Sequence, residues 1–114
     1  MISSGQRSAK LRELLANHCV VMPGAINALS AKLIESMGFE AMYLSGAVLA
    51  NSVGGMPDVG MMTLTESEAH SAQIARATTI PIIADADTGY GEADNAARTV
   101  RVLEQAGVSG IHLE

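Results

Sequence analysis

Aromatic side chains are scarce in this sequence: two tyrosines, one phenylalanine and no tryptophan, 3% of 114 residues. Any core must therefore be assembled from Ala, Val, Ile, Leu and Met, which the 48% hydrophobic content supplies. One cysteine, Cys19, excludes an internal disulfide and fits a reducing compartment. Lys and Arg number 7 against 12 Asp and Glu, a formal net charge of −5. They form no cluster, which argues against a nucleic-acid surface. No apolar run approaches the roughly 18 residues of a membrane span. Residues 1–11 lack the apolar centre of a signal peptide. These absences predict a soluble, cytoplasmic domain with no nucleic-acid or membrane partner. They leave an anionic substrate open, because a bound cation can supply local positive charge.

What is present is an alternation of helical and extended patterns. Leu11, Leu14, Leu15 and His18, behind the capping candidates Ser3 and Ser4, predict a helix over 6–17. Val20-Val21-Met22 reads as a short buried strand ended by Pro23-Gly24. Ile26, Leu29, Leu33, Ile34 and Met37 mark the apolar face of a second helix closed by Gly38. Residues 39–45 predict a second strand. Residues 46–63 mix glycines with apolar residues and are expected to pack over the strand ends. Thr65 and Glu68 match a capping box opening a helix to Ala77. A third strand follows. Glu92 and Asp94 then open a helix whose buried face is read as Ala93, Ala96, Ala97, Val100 and Leu103, closed by Gly107. Residues 108–113 predict the fourth strand, with Glu114 at its end. His18 and His70 read as structural rather than catalytic.

The third strand organises the rest. Pro81-Ile82-Ile83-Ala84-Asp85-Ala86-Asp87-Thr88-Gly89-Tyr90-Gly91 runs from β-branched residues into two carboxylates and breaks at glycines. That is the pattern of a buried strand delivering acids at its carboxyl end. On an extended strand Asp85 and Asp87 share a face. There they repel unless a cation neutralises them or one is protonated. Oxygen ligands suit Mg²⁺ or Mn²⁺. The same residues read equally as a strand-ending turn, with Asp87 bonded to its own backbone.

Residues 35–45 align without a gap on residues 104–114, so Tyr43 falls on His112 and Ser45 on Glu114. The offset equals two strand-plus-helix units of about 35 residues. Such units make parallel strands with helical crossovers and gather polar residues at one end, a barrel-like α/β architecture. A complete barrel has eight strands in about 250 residues. Either the four strands form a small open sheet, or residues 1–114 are the N-terminal half of a (β/α)₈ barrel, cut after the fourth strand; the latter is the expectation.

Five blocks in order then carry a resemblance: Tyr43-Leu44-Ser45-Gly46, Gly55-Met56-Pro57-Asp58-Val59-Gly60, Leu64-Thr65-Glu66, Asp85 to Gly91, and Gly110-Ile111-His112-Leu113-Glu114. Together they resemble the isocitrate lyase / phosphoenolpyruvate mutase superfamily, most of all its 2-methylisocitrate lyases. The resemblance implies a Mg²⁺ site (Mn²⁺ as the alternative) at the carboxyl ends of the strands. Asp85 would be the direct ligand, with Asp87, Asp58 and Glu114 around the metal. Tyr43, Ser45, Gly46 and Asp85 would bind a small di- or tricarboxylic acid, and Asp58 and Tyr43 would act in catalysis. The implied reaction is cleavage of 2-methylisocitrate to pyruvate and succinate by a homo-oligomeric enzyme. Oxaloacetate decarboxylation and phosphonopyruvate chemistry are the alternatives within the superfamily. A non-catalytic half-barrel binding or assembly module is the alternative outside it. The lyases' Lys-Lys/Arg-Cys-Gly-His proton-donor segment does not occur in these 114 residues, so the chain alone is expected to be inactive.

Overall fold

A computed structural model describes residues 3–114. Met1 and Ile2, the start of the stretch read above for a signal peptide, lie outside the described residues. In order the elements are α1 (Ser4–Asn17), α2 (Ala28–Ser36), β1 (Met42–Leu44), a short helix α3 (Gly46–Val48) running into a π-helical turn (Leu49–Val53), α4 (Leu64–Ala77), β2 (Ile82–Asp85), α5 (Ala93–Ala106) and β3 (Gly110–His112). The three strands make one parallel sheet in the order β1-β2-β3. Met42 pairs with Ile82, Ile83 with Gly110 and Asp85 with His112. The sheet and its crossovers are α/β, consistent with part of a barrel.

Strand pleating divides the sheet into two faces. Met42, Leu44, Ile82 and Ala84 point to the helices and are buried with Ala31 and Ile34 of α2, Ile74 and Ala75 of α4, and Leu103 of α5. Tyr43, Ile83 and Asp85 alternate with them on the opposite, half-exposed face. Helix α1 crosses the amino end of the sheet. Its Ser8 hydroxyl donates to Ser109 O at 3.1 Å, and the Cβ that Gly110 lacks would lie 3.3 Å from Leu11 Cδ2. Buried Arg7 donates through Nη2 to Ala75 O and Thr78 O, two carbonyls at the end of α4. Burial holds its guanidinium below its ordinary pKa, and Glu35 opposes that shift. Among the described residues no helix is long and apolar enough to cross a membrane.

Several expectations change. The expected first strand is absent among the described residues. Val20-Val21-Met22 makes no ladder, and only a single parallel bridge joins Gly24 to Tyr43. Proline has no N–H to give, so Pro23 contributes only its carbonyl, to Tyr43 N–H. Val21 is 68% exposed, not buried. Helix α2 buries Ala31 and Ile34 against α4, while Leu29 and Leu33 are 77% and 58% exposed and Ile26 and Met37 lie open as well. Helix α5 buries Thr99 and Leu103, not Ala93, Ala97 or Val100. Leu15 and His18 are exposed, His18 pairing with Glu40 at 2.9 Å. The capping box of α4 is Thr63 with Glu66, two residues earlier than read. His70 is structural as expected, its Nε2 lying 2.8 Å from Ile26 O.

Glu35 ties α2 to the segment entering β2. Burial pushes its carboxyl up, but hydrogen bonds from Thr79, Thr78 and Ile80 outweigh it, and the pKa falls below the ordinary 4.5. A depressed folded value gives stability that is complete above the ordinary carboxylate range and lost as pH falls through the folded value. Glu35→Gln is therefore expected to flatten the acid-side fall in stability by on the order of 0.5 kcal/mol, a modest figure because solvent screens the group. Urea midpoints at neutral and acid pH measure it.

Candidate metal centre at the carboxyl ends of the strands

Asp85 is the last residue of β2, and its carboxylate is held from two sides. Gly46 N–H donates to Oδ2 at 3.1 Å, and Asp87 N–H donates to Oδ1 at 2.8 Å. The first contact requires glycine, because a Cβ on Gly46 would stand 2.9 Å from Oδ2. The second is a turn in which Asp85, not Asp87, bonds the backbone. The strand does not continue to Asp87, which takes a left-handed φ of 51°, as does Tyr90 at 61°. Strand pleating therefore does not bring the two carboxylates together. The turn brings Asp87 round instead.

The acids do converge. Asp58, Asp85, Asp87 and Glu114 line one cavity of about 520 Å³, with Gly46, Thr88 and Tyr90 on the same wall. Its roof comes from Leu49, Ala50 and the Val59 to Met62 segment, so residues 46–63 do lie over the strand ends as expected, in part as helix. Glu114 is placed by its N–H, which donates to Asp87 O at 2.9 Å. Among the described residues none of the four carboxylates forms a salt bridge. Tyr43 and Ser45 are not on the cavity wall. Ser45 caps α3 by accepting from Val48 N–H at 3.3 Å. Tyr43 lies beside the acids. Burial first, then Asp85 and Glu114, raise its phenol pKa above the ordinary value. Burial, with Asp87 and Asp85, raises that of Tyr90 too, against a hydrogen bond from Ser67.

The sequence reading missed His112. One of its ring nitrogens and single oxygens of Asp85 and Glu114 all lie within 4.8 Å of one another. The available signal was its place in the sequence, two residues before Glu114 at the end of the strand, although β3 itself stops at His112. The donor set, several carboxylates and one imidazole, fits a divalent cation.

Geometry of this kind makes a prediction. Gly46→Ala is expected to push the Asp85 carboxylate aside and weaken Mg²⁺ or Mn²⁺ binding about tenfold, the usual size of the effect when a group that orients a ligand is disturbed. Calorimetric titration reads it.

A parallel α/β sheet with acids gathered at its carboxyl end defines an enzyme-like scaffold, and comparison identifies which. The sequence model of the phosphoenolpyruvate phosphomutase family matches residues 11–114, and the chain belongs to that family. It is 50% identical over 109 residues to probable 2-methylisocitrate lyase 2 of Corynebacterium glutamicum, covering 96% of this chain and 35% of that protein. The chain thus spans about a third of the length of the curated relatives it matches. Among solved structures, 2,3-dimethylmalate lyase superposes with a TM-score of 0.87 at 38% identity, over 99% of this chain and 40% of that one. A phosphonopyruvate hydrolase in complex with oxalate and Mg²⁺ superposes with a TM-score of 0.86 at 30% identity, over 98% of this chain and 38% of that one.

Proposed function

We propose that the chain supplies the cation-holding end of a Mg²⁺-dependent carbon–carbon lyase, with 2-methylisocitrate as the substrate and pyruvate and succinate as products. The observation that carries the proposal is the convergence of Asp58, Asp85, Asp87 and Glu114 on one cavity with, among the described residues, no cationic side chain paired to any of them. Asp85 would hold the metal directly, with Asp87, Asp58 and Glu114 around it. Bound Mg²⁺ supplies Lewis-acid stabilisation of the negative charge that develops on substrate oxygen as the carbon–carbon bond breaks. Gly46 N–H and Asp87 N–H fix the Asp85 carboxylate in advance. The raised pKa of Tyr43 keeps its phenol protonated at neutral pH, so it serves as a hydrogen-bonding group rather than a ready base. The rest of the barrel would pair with the open sheet edges and cover Leu29, Leu33 and Met37.

Two measurements test this. Calorimetry is expected to show Mg²⁺ binding to the chain, and absence of any divalent-cation binding would overturn the metal reading. An assay of pyruvate release from 2-methylisocitrate with Mg²⁺ is expected to show little or no turnover by these 114 residues, which lack the proton-donor cysteine segment. Clear turnover would show that this segment is dispensable.

A further inference from the structure

A second cavity, of about 470 Å³, lies at the amino end of the sheet. One wall is a face of α1 carrying Arg7 and Lys10. The other is the pair of segments that enter β1 and β2, with Phe39, Ile80 and Pro81. Pro81 precedes β2 and Asp85 ends it, so the length of that strand, roughly 13 Å, separates this cavity from the acids.

Arg7 sets the cavity apart. It is 4% exposed. Nη2 donates to Ala75 O at 2.6 Å and to Thr78 O at 2.7 Å, which occupies two of the five N–H groups of a guanidinium. Among the described residues Nε and Nη1 meet no acceptor, so the other three stay buried and unpaired. Unpaired donors of a buried charge are costly. Among the described residues no carboxylate stands at salt-bridge distance from Arg7. Glu35 acts on it only from further off, and Glu35 Oε1 already accepts from Thr78 and Thr79. Glu40 is the one carboxylate of the wall, and its partner is His18. Arg7 and Lys10 therefore leave the wall net positive in a chain of formal charge −5. Phe39 and Ile80 are packed against the core, so the apolar side is fixed, whereas Gln6 and Lys10 are exposed and can give way.

We infer that this cavity is a second small-molecule site, for a short aliphatic monocarboxylate. The carboxylate supplies acceptors to the unpaired N–H groups of Arg7 and meets Lys10 Nζ, while the tail lies on Phe39, Ile80 and Pro81. Nε and Nη1 are closed to bulk water, so the headgroup reaches them by shifting the exposed side chains of Gln6 and Lys10. One negative charge suits one buried cation. Phosphate carries more charge and needs a polar shell that these walls lack. The inference is independent of the metal reading.

The ¹H–¹⁵N spectrum of the metal-free chain tests it. Of the five arginines only Arg7 is buried, so its Nε–H is the one that exchanges slowly with water. Arg7 itself is left unaltered, because it also holds the end of α4. Hexanoate is expected to move that signal together with the backbone N–H signals of Thr79 and Ile80, and to leave those of Gly46 and Asp87 in place. Butyrate should bind about tenfold more weakly than hexanoate, having two methylenes fewer to bury. Hexanol, which has the tail without the charge, should also bind at least about tenfold more weakly, the scale of a charge-assisted hydrogen bond. Lys10→Gln, at an exposed position, should weaken hexanoate about two- to fourfold. An Arg7 signal that ignores hexanoate, or hexanol binding as tightly as hexanoate, would overturn the site. Phosphate moving the Arg7 signal as far as hexanoate does, with butyrate and hexanoate bound equally, would overturn the monocarboxylate class. Movement of Gly46 and Asp87 in place of Thr79 and Ile80 would put the anion among the acids and overturn the inference as well.

Discussion

Asp85→Asn is expected to raise the unfolding temperature of the metal-free chain and to abolish the rise that Mg²⁺ produces in the unaltered one. The two halves of this result have one cause. Four carboxylates line a single cavity, and like charges at close range oppose folding when no cation is present. Asparagine keeps one oxygen, which can still accept from Asp87 N–H, so the turn survives while the charge is gone; Gly46 N–H loses its acceptor, a smaller cost than the repulsion relieved. A ligand that binds only the folded chain stabilises it in proportion to the logarithm of its concentration over Kd. If Asp85 is the direct ligand proposed above, its loss should weaken Mg²⁺ by at least about a hundredfold, beyond the range seen for outer partners. Thermal scans with and without Mg²⁺ test both halves. A metal-free midpoint lowered as much as the loaded one would mean that Asp85 is structural. Asp85→Ala should fare worse than Asp85→Asn, because it strands both N–H donors.

Leu103→Ala should lower stability by about 2–5 kcal/mol, the cost of a cavity at a position packed on every side. Leu103 is fully buried between α5 and the sheet, in the cluster that holds Ile74, Ile82 and Val108. The urea midpoint should fall with little change in slope. One turn earlier, Val100 is 43% exposed, and Val100→Ala should change stability by less than about 0.5 kcal/mol. The contrast is sharp, because the apolar spacing of the sequence puts both on one face. Comparable losses at the two sites would mean that α5 is rotated from the position described.

That comparison shows where the sequence was legible. Helix existence was, because caps and glycine stops act locally: Ser3 caps α1 through Gln6, and Gly107 ends α5 with φ of 108°. Facing was harder. Leu29, Leu33 and Met37 are apolar at helical spacing, yet the stripe that meets α4 is Ala31 and Ile34, since small residues let two helices approach. The capping box of α4 had two overlapping candidates, and threonine–glutamate spacing alone could not choose Thr63 over Thr65. The convergence of acids was legible as chemistry before its geometry was. Two aspartates on a strand end forecast the cavity, although Asp87 arrives by a left-handed turn and not by pleating. Repeat alignment even placed Tyr43 on His112, and the two side chains touch. What it could not show is that the phenol crosses β2 to reach the imidazole.

The all-parallel pairing of the sheet also governs the order of assembly. Met42 finds its partner Ile82 only after the long apolar segment and all of α4 have been spanned, and β3 must wait for α5 in the same way. No hairpin can seed the sheet. Loop-closure entropy is met before any ladder bond repays it, so the helices form early and the strands zip late, on a scale nearer milliseconds to seconds than microseconds. During that interval Leu29 and Leu33 and both sheet edges stand open to strangers as well as to partners. Recovery after dilution from denaturant should accordingly fall as protein concentration rises.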